Sequence, residues 1–136
     1  MKKIILSSLD LSRITDSIRS ARQKGSISAL EAENLAKELE GAQIVEPVEM
    51  PADVVTMNSV VKIRFIESNK AIRFQIVYPD QANIKENKIS IFSPVATALI
   101  GYKVSDEVEW IVPAGLTKIR IEEILYQPEA AGDYNL

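Results

Sequence analysis

Any chemistry in this chain must be done without imidazole or thiol, because its 136 residues include no His and no Cys. That removes zinc sites built from thiolate and imidazole, Cys nucleophiles and any Ser-His-Asp triad. Carboxylates, Lys, Tyr or a carboxylate-held magnesium are left. Two constellations have the spacing to be weighed. Ser59-Val60-Val61-Lys62 matches the S-x-x-K string of serine acylases, whose chemistry needs the Ser at a helix start. Here the string lies in an alternating apolar pattern, so it reads as strand and the match as chance. Glu31 and Glu33 offer two carboxylates to a cation. Glu31, however, follows Ser28 by three residues and completes a capping box, and first-turn acids suit the helix dipole. Neither constellation argues for an enzyme, and no cofactor and no metal is expected.

The elements that carry these residues follow from periodicity. Ser7-Ser8-Leu9-Asp10 is a hydroxyl cap with a carboxylate three residues on, and Leu11, Ile14, Ile18 and Ala21 continue at helical spacing. Gly25 ends that helix. Ser28 to Glu31 opens a second, with Ala32, Leu35, Ala36 and Leu39 as its stripe and Gly41 as its stop. Two amphipathic helices across a short turn predict an antiparallel helical hairpin, a short coiled coil, over residues 1–45. Residues 46–53, EPVEMPAD, hold two prolines and three acids without periodicity and read as a linker.

Beyond residue 54 the period becomes two. Val61, Ile63 and Phe65 share one strand face, as do Ile72, Phe74, Ile76 and Tyr78 on the next, with a turn at Glu67-Ser68-Asn69-Lys70. Lys88–Phe92 is a third strand. A last hairpin runs from Val108–Val112 to Lys118–Tyr126 across Pro113-Ala114-Gly115-Leu116, with a phase slip at Glu122-Glu123 that predicts a bulge. Between them Ser93-Pro94 opens a short helix closed by Gly101. Residues 54–136 thus predict an antiparallel sheet of about five strands covered by one helix, an α+β fold. Trp110 and Tyr102 read as core or core edge.

Three surface features stand out as candidate sites. The hairpin tip, Lys24, Gly25, Ser26, Ile27, Ser28 and Ala29, carries no carboxylate. Arg19 and Arg22, with Arg13 and Lys24, give the first helix a basic side, a solvated face by default and a contact surface as the alternative. Phe92, Ser93, Pro94 and Val95 form a helix entry that reads equally as a cap and as a rigid feature for a partner. Residues 1–45 carry a net +1 and residues 46–136 a net −4, a poor balance for holding nucleic acid by phosphate neutralisation. No apolar run approaches the ~20 residues of a membrane span, and MKKIILSS has too short an apolar run for a signal peptide. The absence of Cys allows a cytoplasmic home.

The string SPVATALIGYKVSDEVEW (93–110) resembles the S-P-x-A-x-A-L-I/L-G…G-D-x-V segment of the Gre transcript-cleavage factors, within their FKBP-like C-terminal domain. DVVTMNSVVKIRF (53–65), VYPD (77–80) and YQPEAAGDYNL (126–136) are similar to the Rnk branch of this GreA/GreB family, regulators of nucleoside diphosphate kinase. The resemblance runs from Ile4 to Leu136. It departs at Ser105, where the family has Gly before the Asp, at a cost in turn geometry. The resemblance implies a bacterial, cytoplasmic protein that docks at the rim of the secondary channel of RNA polymerase, with Phe92, Ser93, Pro94 and Val95 at the contact. In Gre factors a long hairpin reaches down that channel, and two acids at its tip help hold a catalytic magnesium. The Gre tip reads G-D-L-x-E-N; here Ser26 stands where the Asp would be and Ala29 where the Glu would be, on a shorter hairpin. The implied function is therefore regulation of transcription elongation without catalysis, in competition with Gre factors and without stimulating transcript cleavage. The protein is expected to be a monomer, away from membranes, touching nucleic acid at most indirectly through the polymerase complex. Two alternatives accompany this reading. An FKBP-like fold implies a prolyl isomerase, which needs an aromatic-lined pocket that three Phe and one Trp, mostly on core-facing strand positions, do not supply. Direct contact with nucleoside diphosphate kinase is implied by the family name alone.

Overall fold

The Ser7 hydroxyl accepts a hydrogen bond from the Asp10 amide at 3.0 Å, and that cap starts the first helix. The computed structural model describes residues 4–112 and 115–133. In it, β1 (Ile5–Ser7) leads directly into α1 (Ser8–Lys24), which ends at Gly25 with φ 67°. α2 (Ala29–Leu39) begins with the full reciprocal capping box of Ser28 and Glu31. It has 11 residues against 17 in α1, so the hairpin is asymmetric. β2 (Gln43–Val45) then pairs in parallel with β1, Leu6 opposite Ile44. These two three-residue strands close the base of the hairpin; runs so short carry no period to read.

The segment 46–53 is not a bare linker. A 3-10 turn at Pro47–Glu49 leads to Met50, which is buried with Ile5 and Val54. From Val54 to Ser59 every residue is buried, yet none lies in a strand. Its backbone groups are paired one by one: the Val55 N–H donates to the Tyr102 carbonyl at 2.8 Å, and the Gly101 N–H donates back to the Val55 carbonyl at 2.9 Å. The Ile5 N–H donates in turn to the Gly101 carbonyl at 3.1 Å. Gly101 has φ +84°, and a Cβ there would stand 2.6 Å from the Cβ of Ile4, so only glycine lets β1 approach.

Five strands form the main sheet: β3 (Val60–Phe65), β4 (Lys70–Val77), β5 (Lys88–Ser90), β6 (Glu107–Val112) and β7 (Gly115–Tyr126), in the order β5-β4-β3-β7-β6. The expectation of antiparallel pairing holds for three of the four ladders. β4 and β5 are parallel, because the stretch 78–87 with its two 3-10 turns is long enough to carry the chain back over itself. The phase slip at 122–123 is a bulge: Ile63 faces Ile121 and Lys62 faces Glu123, so Glu122 is the extra residue. Glu122 thereby meets Arg64 and Lys62 on the neighbouring strand. α3 (Pro94–Leu99) is capped by Ser93, and its C-cap is Ile100, with Gly101 one position beyond. α4 (Pro128–Ala131) is the last element among the described residues. The tip of the last hairpin at Pro113-Ala114, the Trp110 side chain and the final residues of the YQPEAAGDYNL string lie outside the described residues.

One core runs through both halves. Leu6, Ile14 and Leu35 from the first 45 residues are fully buried in one cluster with Val61, Ile63, Ile76, Leu99, Ile100, Ile119 and Ile121. We propose the partition 1–45, 46–53 and 54–136 as a division of the chain by period and composition, laid over a shared core. Leu35→Ala is expected to lower global stability by about 2–5 kcal/mol through the cavity it leaves. Amide exchange in β3 and β7 should accelerate together with exchange in α1. Acceleration confined to the two helices would show the hairpin to be an independent unit.

Candidate functional site

Hairpin tip and Ser93-Pro94 loop are distant in sequence but adjacent in the fold. Ile27 is buried with Ala21 and Ala32, and Phe92 packs against that cluster. Lys24 and Ser26 then share one hollow of about 350 Å3 with Asp16, Pro79, Asp80 and Phe92. The Ser26 N–H donates to the Ala21 carbonyl at 2.9 Å, which fixes the turn after Gly25. Lys24, Gly25, Ser26, Ser28 and Ala29 are exposed, whereas Ile27 anchors the tip to the body and is not available for contact. In the loop, Ser93 accepts from the Ala96 amide at 3.4 Å, and the Thr97 hydroxyl donates to the Ile91 carbonyl at 2.9 Å. Pro94 is exposed, but Val95 is only 8% exposed and packs in the core, so it drops out of the contact set. Its place one residue past Pro94 turns it inward with Leu99, four residues on. Arg19 and Arg22 are exposed on α1, outside this hollow, and Arg19 lies 3.4 Å from Asp16.

The two constellations weighed first are occupied structurally. Ser59 is fully buried and shares a 2.8 Å hydrogen bond with Thr56, while Lys62 lies 3.6 Å from Glu122, so no nucleophile faces solvent there. The Glu31 carboxylate accepts from the Ser28 amide at 3.3 Å.

Sequence reasoning missed one polar joint. Asp10 is 2% exposed, and its Oδ2 accepts from the Met57 amide at 3.1 Å, tying α1 to the buried 54–59 segment. Burial pushes its carboxyl up to about 7; the nearby Glu129 adds to this, while the Met57 hydrogen bond and Arg13 oppose it. Tyr78 is raised well above the usual phenol range by burial and by Asp10. From the other side, the Thr56 hydroxyl donates to Glu129 at 2.9 Å, and Gln127 donates to the carbonyls of Pro51 and Val54 at 2.7 and 2.8 Å. The signal was present: Asp10 precedes Ile14 by four residues and so points along the apolar stripe.

A family model, "Transcription elongation factor, GreA/GreB, C-term", matches residues 50–126. The chain belongs to the GreA/GreB family. Among similar proteins, "Regulator of nucleoside diphosphate kinase" of Escherichia coli K12 is 40% identical over 134 residues, spanning 98% of this chain and 96% of its own. Transcription elongation factor GreA of Psychrobacter is 34% identical, over 90% of this chain and 87% of its own. A solved GreA/GreB factor from Nitrosomonas europaea superposes with a TM-score of 0.74 at 37% identity, covering 93% of this chain and all of that one. In this GreA/GreB protein Ser105 adopts φ 79°, so a serine holds the left-handed turn where the resemblance led us to expect glycine. No helix among the described residues is long and apolar enough to cross a membrane.

Proposed function

We propose that this GreA/GreB protein binds RNA polymerase at the rim of the secondary channel, regulates transcription without catalysis, and competes there with Gre factors. The observation that carries this reading is the tip: it presents Lys24, Ser26, Ser28 and Ala29 in place of carboxylates, and Ile27 holds it against the body beside Phe92. Neutral side chains cannot ligate magnesium as carboxylates do, and a tip packed on its own domain serves as part of a docking surface. Phe92, Ser93 and Pro94 with the tip make that surface continuous. Its features are preformed by capping and packing, so little ordering entropy is lost on binding.

Pro94→Arg tests the reading. Pro94 is exposed at the first position of α3 and its replacement leaves the Ser93 cap in place. Affinity for purified core RNA polymerase is expected to fall roughly tenfold or more, as for a central contact residue. Unchanged affinity in the folded variant would move the interface away from this loop.

A further inference from the structure

α1 and α2 leave a second recess between them, an open groove of about 530 Å3 distinct from the tip hollow. Leu11, Ile18, Ala36 and Leu39 give it apolar lining. Leu11, Thr15, Ile18 and Arg22 follow one stripe of α1 over three turns, about 16 Å at 1.5 Å per residue. Ala36 is exposed, and Leu11, Ile18 and Leu39 are only half-buried, so the intramolecular packing leaves this strip uncovered. Its edge is basic. Arg22 has no ion pair among the described residues, and Arg19 shares Asp16 in a pair whose two side chains are each 68% exposed, a contact of little strength. This is a local departure in a chain of net charge −3. An apolar strip three turns long with cations along one edge matches an amphipathic helix that carries apolar anchors at i, i+3 or i+4 and i+7 and carboxylates on its flank. A phosphate backbone would satisfy the arginines and leave the apolar strip uncovered.

We infer that the α1–α2 groove docks an acidic amphipathic helix of the polymerase, a second contact beside the Phe92-Pro94 surface; this rests on the function proposed above. Fluorescence-anisotropy titration of the full chain with purified core RNA polymerase tests it. Arg19→Glu/Arg22→Glu reverses the edge, and Ala36→Trp fills the groove from an exposed position. Each is expected to weaken binding roughly tenfold with unchanged circular dichroism, and the charge reversal should also flatten the salt dependence. Binding by the wild type that both variants retain in full overturns the inference alone. No binding by the wild type overturns the functional reading and this inference with it. A wild-type dimer in light scattering that the same substitutions dissolve assigns the groove to a second copy and overturns the polymerase helix.

Discussion

Added to a backtracked elongation complex, this protein is expected to give no increase in transcript cleavage, and Ser26→Asp with Ala29→Glu is expected to give none either. The first result follows from chemistry: the two tip positions are a hydroxyl and a methyl, and neither replaces a carboxylate on magnesium. The second follows from geometry. A carboxylate must come within about 2.0–2.1 Å of the ion, while α1 and α2 extend only about 25 and 16 Å for 17 and 11 residues. Moreover, the buried Ile27 fastens the turn to Ala21, Ala32 and Phe92, so the tip is not free to extend. The carboxylate that Ser26→Asp introduces would also enter a hollow already lined by Asp16 and Asp80. In excess, the wild-type protein should instead inhibit cleavage driven by an added Gre factor. Cleavage stimulated by the wild type would overturn the non-catalytic reading. Cleavage gained only by the double variant would show that the acids alone had been missing and that reach was sufficient.

Asp10→Asn is expected to make the protein more stable at pH 8 and to leave it nearly unchanged at pH 4. In the unfolded chain the Asp10 carboxyl ionises near 3.8, whereas burial in the folded protein holds its proton up to about 7. Between those values the folded state binds more protons than the unfolded one. Stability from this group is therefore complete below about pH 4, declines as pH rises toward 7, and is level above that. The full decline is on the order of 4 kcal/mol at 1.36 kcal/mol per unit, a net figure that already includes what the Met57 N–H and Arg13 contribute to the charged form. An Asn carbonyl still accepts from Met57 and carries no charge. Urea midpoints measured from pH 4 to 8 should slope downward for the wild type and lie flat for the variant. Parallel slopes would locate the pH dependence in groups other than Asp10.

Features that depend on neighbours along the chain are legible in the residues alone. Ser7, Ser28 and Ser93 start helices because a hydroxyl three residues ahead of an amide is a local device. The alternating apolar positions of β3 and the bulge at Glu122 are legible because a strand face repeats every two residues and a slip in that repeat shows directly. The missing tip carboxylates were equally plain. Tertiary structure decided the rest. β1 and β2 are three residues each and exist because they close a hairpin base, not because of any period. The 54–59 segment is buried without a strand because its amides find carbonyls and a carboxylate from Tyr102, Ile76 and Asp10, partners that no local rule selects. Val95 and Ile27 read as surface contacts and became core, since the faces of α3 and of the tip that turn inward depend on where Leu99 and Phe92 come to rest. The juxtaposition of tip and loop has the same origin: residues so far apart in sequence meet only after the helices and the sheet bury their apolar faces in one core.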